Sequence, residues 1–181
     1  MLIITGESAC GKSTVEKKLS QFFGFNKLVS YTTRQIRENE VDGVDYHFIT
    51  VEKFEKLKDE GFFAEYATYN GWNYGTAKAD CTDDKVLVAT PHGLRQLKNN
   101  KDLNIVSFYI NVPRRDRLIK ILQRGDSIEE SYRRNLSDVG MFDGIADEVD
   151  FVIHNDEYQT TSYDLANEIK EKYFGVINGK R

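Results

Sequence analysis

One segment near the N-terminus constrains the fold of this 181-residue chain more than any other feature. It reads Gly6-Glu7-Ser8-Ala9-Cys10-Gly11-Lys12-Ser13-Thr14 and fits the pattern G-x-x-x-x-G-K-[ST] at every fixed position. The apolar run Leu2–Thr5 precedes it, and Val15, Leu19 and Phe22 follow at helical spacing. A buried strand, a glycine-rich turn and the N-terminus of a helix are therefore predicted in direct succession.

This arrangement suits the binding of nucleotide phosphates. Backbone N–H groups and the positive end of a helix dipole favour anions, and Lys12 would neutralise the β- and γ-oxygens. Ser13 would place its hydroxyl on Mg²⁺, which bridges those phosphates. Cys10 is interpreted as a small space-filling residue, with a redox role as the alternative. We expect ATP to be bound by Gly6, Glu7, Ser8, Ala9, Cys10, Gly11, Lys12, Ser13 and Thr14.

Strands and helices alternate through most of the remaining chain. β-rich apolar runs occur at 86–89, 105–112 and 151–153, and helical segments begin near Pro91, Pro113, Ser127 and Thr161. Such alternation predicts an α/β fold with a mostly parallel sheet flanked by helices, and the phosphate-loop pattern after the first strand makes the expected fold P-loop NTPase-like. The stretch from about 29 to 76 breaks the rhythm and is expected to form an insertion beside a core of about 1–28 and 77–181.

Composition excludes several other classes of protein. The formal charge of −4 argues against a nucleic-acid partner, which would require a basic face. No window approaches the length of a membrane span, and the N-terminus lacks the features of a signal peptide. Cys10 and Cys81 are too few for a disulfide framework, so a cytoplasmic location is expected. We expect one domain, as a monomer or a homodimer.

The segment Ser30–Phe48 combines two arginines, Arg34 and Arg37, with carboxylates and Tyr46 in an Asp-Tyr-x-Phe context. Two guanidinium groups can clamp a phosphate, and a tyrosine hydroxyl can complete the cage. A solvated turn carrying incidental charges has the same composition. The residues alone leave both interpretations open.

This segment closely resembles the acceptor region of guanylate kinases, S-x-T-T-R-x-x-R-x-x-E-x-[DN]-G-x-D-Y-x-F. The likeness also covers the phosphate loop, 63–66, 73–76, Arg124-Gly125 and 154–156, which occur in the same order along the chain as in the family. It implies phosphoryl transfer from ATP to GMP or dGMP. The implied GMP-binding residues are Ser30, Arg34, Arg37, Tyr46, Glu65, Tyr74, Gly75 and Thr76. Of these, Glu65 would accept the N1–H and N2–H₂ donors of guanine, and Thr76 would contact O6.

The resemblance also implies a lid at about 124–140 and a contact with the adenine of ATP at Asn155 and Asp156. The implied catalytic residues are Lys12, Arg34, Arg124 and Arg134, which would stabilise charge on the transferring phosphoryl group. The family's second lid arginine falls on Asn135, with Arg134 one position earlier. Neighbouring positions on an α-helix point in clearly different directions, so Arg134 would serve in this role only from a shifted helix.

One departure bears on substrate choice. Guanylate kinases carry D-x-D-x-x-G, whereas Val88 and Thr90 occupy the two acidic positions before Gly93. Asp83 and Asp84 precede the predicted strand and lie at its opposite end. The alternatives are therefore a nucleoside monophosphate kinase of altered or relaxed base specificity, including other acceptors such as dAMP, dTMP or a sugar phosphate, and a non-catalytic guanylate kinase-like binding domain. The intact phosphate loop favours catalysis.

Overall fold

The structure is a computed structural model that describes residues 1–38, 40–69, 71–123, 125 and 128–179. The strands are β1 (Leu2–Thr5), β2 (Asn26–Lys27), β3 (Tyr31–Thr32), β4 (His47–Phe48), β5 (Phe63–Tyr69), β6 (Trp72–Ala77), β7 (Lys85–Val88), β8 (Val106–Asn111) and β9 (Phe151–His154). The helices are α1 (Lys12–Phe22), α2 (Val51–Asp59), α3 (Pro91–Asn99), α4 (Arg114–Gln123), α5 (Ile128–Asp138), α6 (Ile145–Glu148) and α7 (Ser162–Gly179).

The central sheet has the strand order β2-β7-β1-β8-β9, and all of its pairs are parallel. From β1 the chain first builds the β2 and β7 side and then crosses to β8 and β9. The carboxyl end of β1 therefore lies where the strand order reverses, which is the usual place for a ligand in an open α/β sheet. The predicted fold class is confirmed.

Both faces of the central sheet are covered, because every residue of β1 is buried. Leu2 and Ile4 belong to a core cluster that includes residues of α1 and α7, whereas Ile3 belongs to a second cluster with α3 residues. A strand that is apolar on both faces reads as a continuous hydrophobic run. This is why β1 could be recognised in the sequence.

A second sheet, of order β4-β3-β6-β5, occupies the stretch that breaks the alternation. Within it, β5 and β6 are antiparallel, and their register shifts between Phe63 and Glu65. Phe63 is opposite Ala77, but Glu65 is opposite Thr76, so the two side chains leave β5 on different faces. Phe63 stacks on Phe54 of α2, with ring centroids 4.6 Å apart. The irregularity thus directs Glu65 away from this aromatic layer.

Two helices of the fold begin at threonine caps. Thr50 accepts a hydrogen bond from the Lys53 N–H at the start of α2, and Thr90 accepts one from the Gly93 N–H at the start of α3. Ser127, near which a helix is predicted to begin, lies outside the described residues. Across the described part of the chain, no helix combines the length and apolar character needed to cross a membrane.

Candidate active site

The segment between β1 and α1 forms a tight loop at the carboxyl edge of the central sheet. Gly6 has φ +150°, and a Cβ there would lie 2.7 Å from both Cys10 Sγ and the Ile110 carbonyl oxygen. Only glycine fits this close approach. Cys10 is fully buried, and burial raises the pKa of its thiol. These features match a space-filling residue rather than a reactive one.

Lys12 lies across the loop that it is predicted to serve. Its Nζ donates to the carbonyl oxygens of Gly6 at 2.6 Å and Glu7 at 2.8 Å. Ser13 follows in the first turn of α1 and is exposed. The N-terminus of α1, the Lys12 ammonium and the Ser13 hydroxyl therefore belong to one short segment, which suits the binding of a polyphosphate.

A cavity of about 740 Å³ opens beside this loop, a volume within the usual range for a ligand pocket. Its walls include 8–15, Lys120, Asn155, Tyr158 and 160–162. Asn155 is buried and bonds both backbone groups of Thr160, through Nδ2 to its oxygen at 3.2 Å and through Oδ1 to its N–H at 2.9 Å. Gly6, Glu7 and Asp156 lie outside the cavity wall.

Tyr158 and Lys120 are pocket residues that sequence reasoning missed. The Tyr158 hydroxyl donates to the Ala9 carbonyl oxygen at 2.9 Å, and Lys120 Nζ lies 5.2 Å from the centroid of the Tyr158 ring. Ala9 and Tyr158 are separated by 149 positions in the chain. No local pattern marks such a pair.

On the acceptor side, Arg34 is held in place by several neighbours. Its Nη2 donates to Glu40 Oε1 at 2.7 Å, and its guanidinium carbon lies 5.6 Å from the Tyr46 ring centroid and 5.7 Å from that of Phe48. The Tyr46 and Tyr74 rings meet edge to face at 5.9 Å. One cation and two phenol groups are thus assembled at the place expected for the acceptor phosphate.

Glu40 was not among the predicted site residues, although the R-x-x-R-x-x-E spacing points to it. Besides Arg34, it accepts the backbone N–H of Arg37 at 3.0 Å. Its hydrogen bond with Arg34 raises the pKa of that arginine and lowers the pKa of Glu40 itself. The Arg37 side chain is exposed, whereas its backbone N–H is held by Glu40.

Glu65, Thr76 and Ser30 form a short chain of hydrogen bonds. The Thr76 hydroxyl donates to Glu65 Oε1 at 2.6 Å, and Ser30 Oγ lies 3.3 Å from Thr76 Oγ1. Burial raises the pKa of Glu65, whereas the hydrogen bond from Thr76 lowers it. A largely desolvated carboxylate next to a hydroxyl is a suitable reader for paired N–H donors and a carbonyl oxygen.

Gly75 and Gln96 support this group in different ways. A Cβ on Gly75 would lie 2.9 Å from Phe63 Cδ1, so this predicted GMP residue faces the aromatic layer and not Glu65. Gln96 of α3 bonds both backbone groups of Tyr66, donating to its oxygen at 2.9 Å and accepting its N–H at 3.0 Å. This side-chain amide, which sequence reasoning missed, fixes the edge of β5 next to Glu65.

Val88 and Thr90 lie at the carboxyl end of β7, next to this site. A Cβ on Gly93 would be 3.0 Å from Glu65 Oε2 and 3.6 Å from Thr90 Oγ1, so the turn into α3 borders the Glu65 carboxylate. Asp84 precedes β7, as expected, and accepts a hydrogen bond from Asn26 at 2.7 Å. Neither Asp83 nor Asp84 replaces the missing acidic groups.

The predicted lid is described only in part. Arg124 lies outside the described residues, and Arg134 is in α5, but its side chain lies outside them too. Asn135, at the position of the family's second lid arginine, accepts a hydrogen bond from Arg114 Nη2 at 2.6 Å and so ties α5 to α4. The roles of Arg124 and Arg134 stay predictions.

A doubly wound parallel sheet with a glycine-rich loop at its switch point, together with a second site that contains Arg34, is the arrangement expected of a P-loop NTPase-like phosphotransferase. The family model described as guanylate kinase matches residues 1–172. The chain belongs to the guanylate kinase family, whose members are phosphotransferases.

Individual relatives agree with this assignment. A guanylate kinase of Nitratidesulfovibrio vulgaris is 41% identical over 145 residues, covering 76% of this chain and 70% of its own length. One from Clostridioides difficile is 31% identical over 172 residues, covering 91% of this chain and 84% of its own length. The crystal structure of guanylate kinase from Anaplasma phagocytophilum is similar at a TM-score of 0.70 and 25% identity, covering 97% of this chain and 84% of the other.

Proposed function

We propose that this chain transfers the γ-phosphoryl group of ATP to GMP or dGMP. The observation that carries the proposal is the pairing of Glu65 with Thr76, a half-buried carboxylate and a buried hydroxyl on the strand pair that also bears Tyr74. Guanine presents two adjacent donors and one acceptor to such a pair, whereas adenine lacks the donor pair. Family membership supports the same acceptor.

Each substrate would have its own set of groups. The triphosphate of ATP would lie against the loop backbone and Lys12, with its base in the cavity that Asn155 and Tyr158 border. The acceptor phosphate would lie against Arg34, Arg37, Tyr46 and Tyr74. Since phosphoryl transfer depends on positioning and on stabilising charge, the principal catalytic contribution of Lys12 and Arg34 would be fixed positive charge.

Mg²⁺ is the metal we propose to accompany ATP, with Ser13 as its protein ligand. Among the described residues, no group of three or more His, Cys, Asp or Glu could hold a metal ion. A single protein ligand, the Ser13 hydroxyl, fits an ion that is held mainly by phosphate oxygens and water. When bound, the ion would withdraw charge from the β- and γ-phosphates.

Transfer of label tests the proposal. ATP labelled in the γ-phosphoryl group and unlabelled GMP are expected to give GDP labelled in its β-phosphoryl group. Lys12→Ala should slow formation of labelled GDP by about a hundredfold or more, because fixed charge at the transferring group is lost. Lys101→Ala is the matched control, since Lys101 is exposed in a turn away from the site. Binding of GMP without any labelled GDP would contradict the proposal.

A further inference from the structure

Asp138 ends α5 at a position that is unfavourable for a carboxylate. The C-terminus of a helix carries partial negative charge, so an acidic side chain there requires compensating contacts. Asp138 Oδ2 accepts the backbone N–H of Ser8 at 2.8 Å and lies 3.6 Å from Arg117 Nη1. The Asp138 side chain is only 12% exposed. The end of α5 is therefore fastened directly to the phosphate loop.

Arg117 extends these contacts to the central sheet. It is buried, its Nε donates to the Val112 carbonyl oxygen at 3.0 Å, and its Nη2 lies 3.4 Å from Glu7 Oε1. Glu7 Oε2 accepts the hydroxyl of Tyr109, in β8, at 2.9 Å. We call Glu7, Tyr109, Arg117 and Asp138 the Asp138 cluster. It connects β8, the phosphate loop, α4 and α5.

The charges of this cluster are unfavourable next to an anion-binding loop, so a purely passive role does not account for it. Two carboxylates face one guanidinium, so the cluster adds a net negative charge beside the proposed triphosphate site. Such a charge opposes ATP binding. This cost is offset if the bonds of the cluster hold the phosphate loop and α5 in the arrangement that ATP binding requires. The Ser8 bond fixes one peptide plane of the loop, and preorganised backbone dipoles are what a phosphate-binding loop contributes.

We propose that Asp138 is a positioning residue, which couples α5 to the phosphate loop so that ATP binding and the placement of this helix occur together. The inference rests on the proposed function, because it concerns the same ATP site. α5 carries the arginines at 133 and 134, and the Arg114–Asn135 bond is a further contact between α5 and α4. Asp138 acts through the loop and the helix and does not contact the reacting atoms.

Steady-state kinetics of two Asp138 variants test this role. Asp138→Ala should lower kcat about tenfold or more while the KM for GMP stays within about twofold, since the loss of a charge-assisted bond acts on the ATP side. Asp138→Asn should retain part of kcat, because an amide oxygen can still accept the Ser8 N–H. Asp143→Asn, which removes the same charge from an exposed turn, is the control and should behave as the parent.

Two kinetic results would overturn the proposal. A lower KM for ATP with unchanged kcat in Asp138→Ala would mean that the carboxylate only competes with the triphosphate. Constants equal to those of Asp143→Asn would mean that the contact has no role. The unfolding midpoints of all variants distinguish either result from a loss of folding. If Asp138→Ala does not fold, the same comparison is made with Asp138→Asn, which keeps the acceptor atom.

Hydrogen exchange with ATP alone gives a readout that does not depend on turnover. ATP should slow amide exchange across residues 128–138 in the parent protein, and most of that slowing should be lost in Asp138→Ala. Equal slowing in both proteins would contradict the coupling. If the parent binds ATP but fails to phosphorylate GMP, the proposed acceptor is wrong, and the exchange experiment still decides the role of Asp138.

Discussion

The Thr76 hydroxyl donates a hydrogen bond of 2.6 Å to Glu65 Oε1 across the antiparallel pair β5 and β6. The two residues are opposite each other because the register shifts by one residue between Phe63 and Glu65. Without that shift, Glu65 would share the face of Phe63, which is packed on α2. Base recognition in the proposed reaction therefore depends on a local irregularity of β5 as much as on the identity of either side chain.

Glu65→Gln should impair guanine acceptors selectively. The glutamine amide offers one acceptor and an NH₂ group that opposes the guanine donors, so kcat/KM for GMP should fall about a hundredfold. Values for AMP should change little. Initial rates with both acceptors measure the effect, and Glu60→Gln, at the exposed end of α2, is the matched control. An unchanged ratio of GMP to AMP would show that Glu65 does not read the base.

The pH dependence of GMP use should report the same carboxylate. Burial raises the pKa of Glu65, and ionised Glu65 is the form that accepts guanine donors, so kcat/KM for GMP should fall as the pH drops through this raised pKa. Thr76→Val removes the hydrogen bond that lowers the pKa. The acid limb should then move to higher pH.

The GMP phosphate also titrates, at a pKa of about 6, so the pH profile needs its own control. In Glu65→Gln the GMP phosphate still titrates, but the carboxyl group at position 65 is absent. The prediction fails if its profile retains the same acid limb as the parent.

Tyr158→Phe should weaken ATP binding. Ala9, Glu157 and Tyr158 are the non-glycine residues with positive φ among those described, and the bond from the Tyr158 hydroxyl to the Ala9 oxygen joins the two strained segments. Loss of one such bond, worth about 1 kcal/mol, predicts a KM for ATP raised about fivefold with the KM for GMP unchanged. Tyr163→Phe, on the exposed side of α7, is the control, and equal KM values in the two variants would refute a role for the Tyr158 hydroxyl.

The phosphate loop and the central strands could be predicted because their signals are local. A complete eight-residue pattern, from Gly6 to Ser13, marks the loop, and the strands β1, β7 and β8 lie in largely apolar runs. Strands β2 to β4 have two residues each, too few to produce any periodicity. β5 and β6 are longer, but aromatic and polar residues are mixed along both, so their faces could not be assigned.

Contacts between distant residues account for most of what was missed in the site. Asp138 meets Ser8 over 130 positions, and Tyr158 meets Ala9 over 149. Tertiary packing alone brings these pairs together, so neither Asp138 nor Tyr158 carries a local sequence signal. Glu40 is the exception, because its spacing from Arg34 and Arg37 was visible within one loop.

Glu16 should make the stability of the protein depend on pH. Burial raises the pKa of this carboxyl to about 7. Below pH ~4.5 it is protonated in both folded and unfolded states; as the pH rises towards 7, only the unfolded state ionises, so stability is lost. The total loss is on the order of 3 kcal/mol.

Glu16→Gln removes that loss. The variant should be more stable than the parent at pH 8 and similar to it at pH 4, as measured by urea unfolding at both values. Glu168→Gln, in an exposed pair with Lys172, should leave the difference between the two pH values as it is in the parent. A parent protein whose stability does not fall between pH 5 and 7 would contradict the prediction.

Acceptor choice tests the central claim most directly. Initial rates of ADP formation from ATP should be measured with each ribo- and deoxynucleoside monophosphate at equal concentration, under conditions in which all are below saturation. GMP and dGMP should give the highest rates, exceeding AMP and the pyrimidine nucleotides by at least about a hundredfold, because only guanine satisfies Glu65 and Thr76 together. A faster reaction with any other base, or no ADP with any acceptor, would contradict the account.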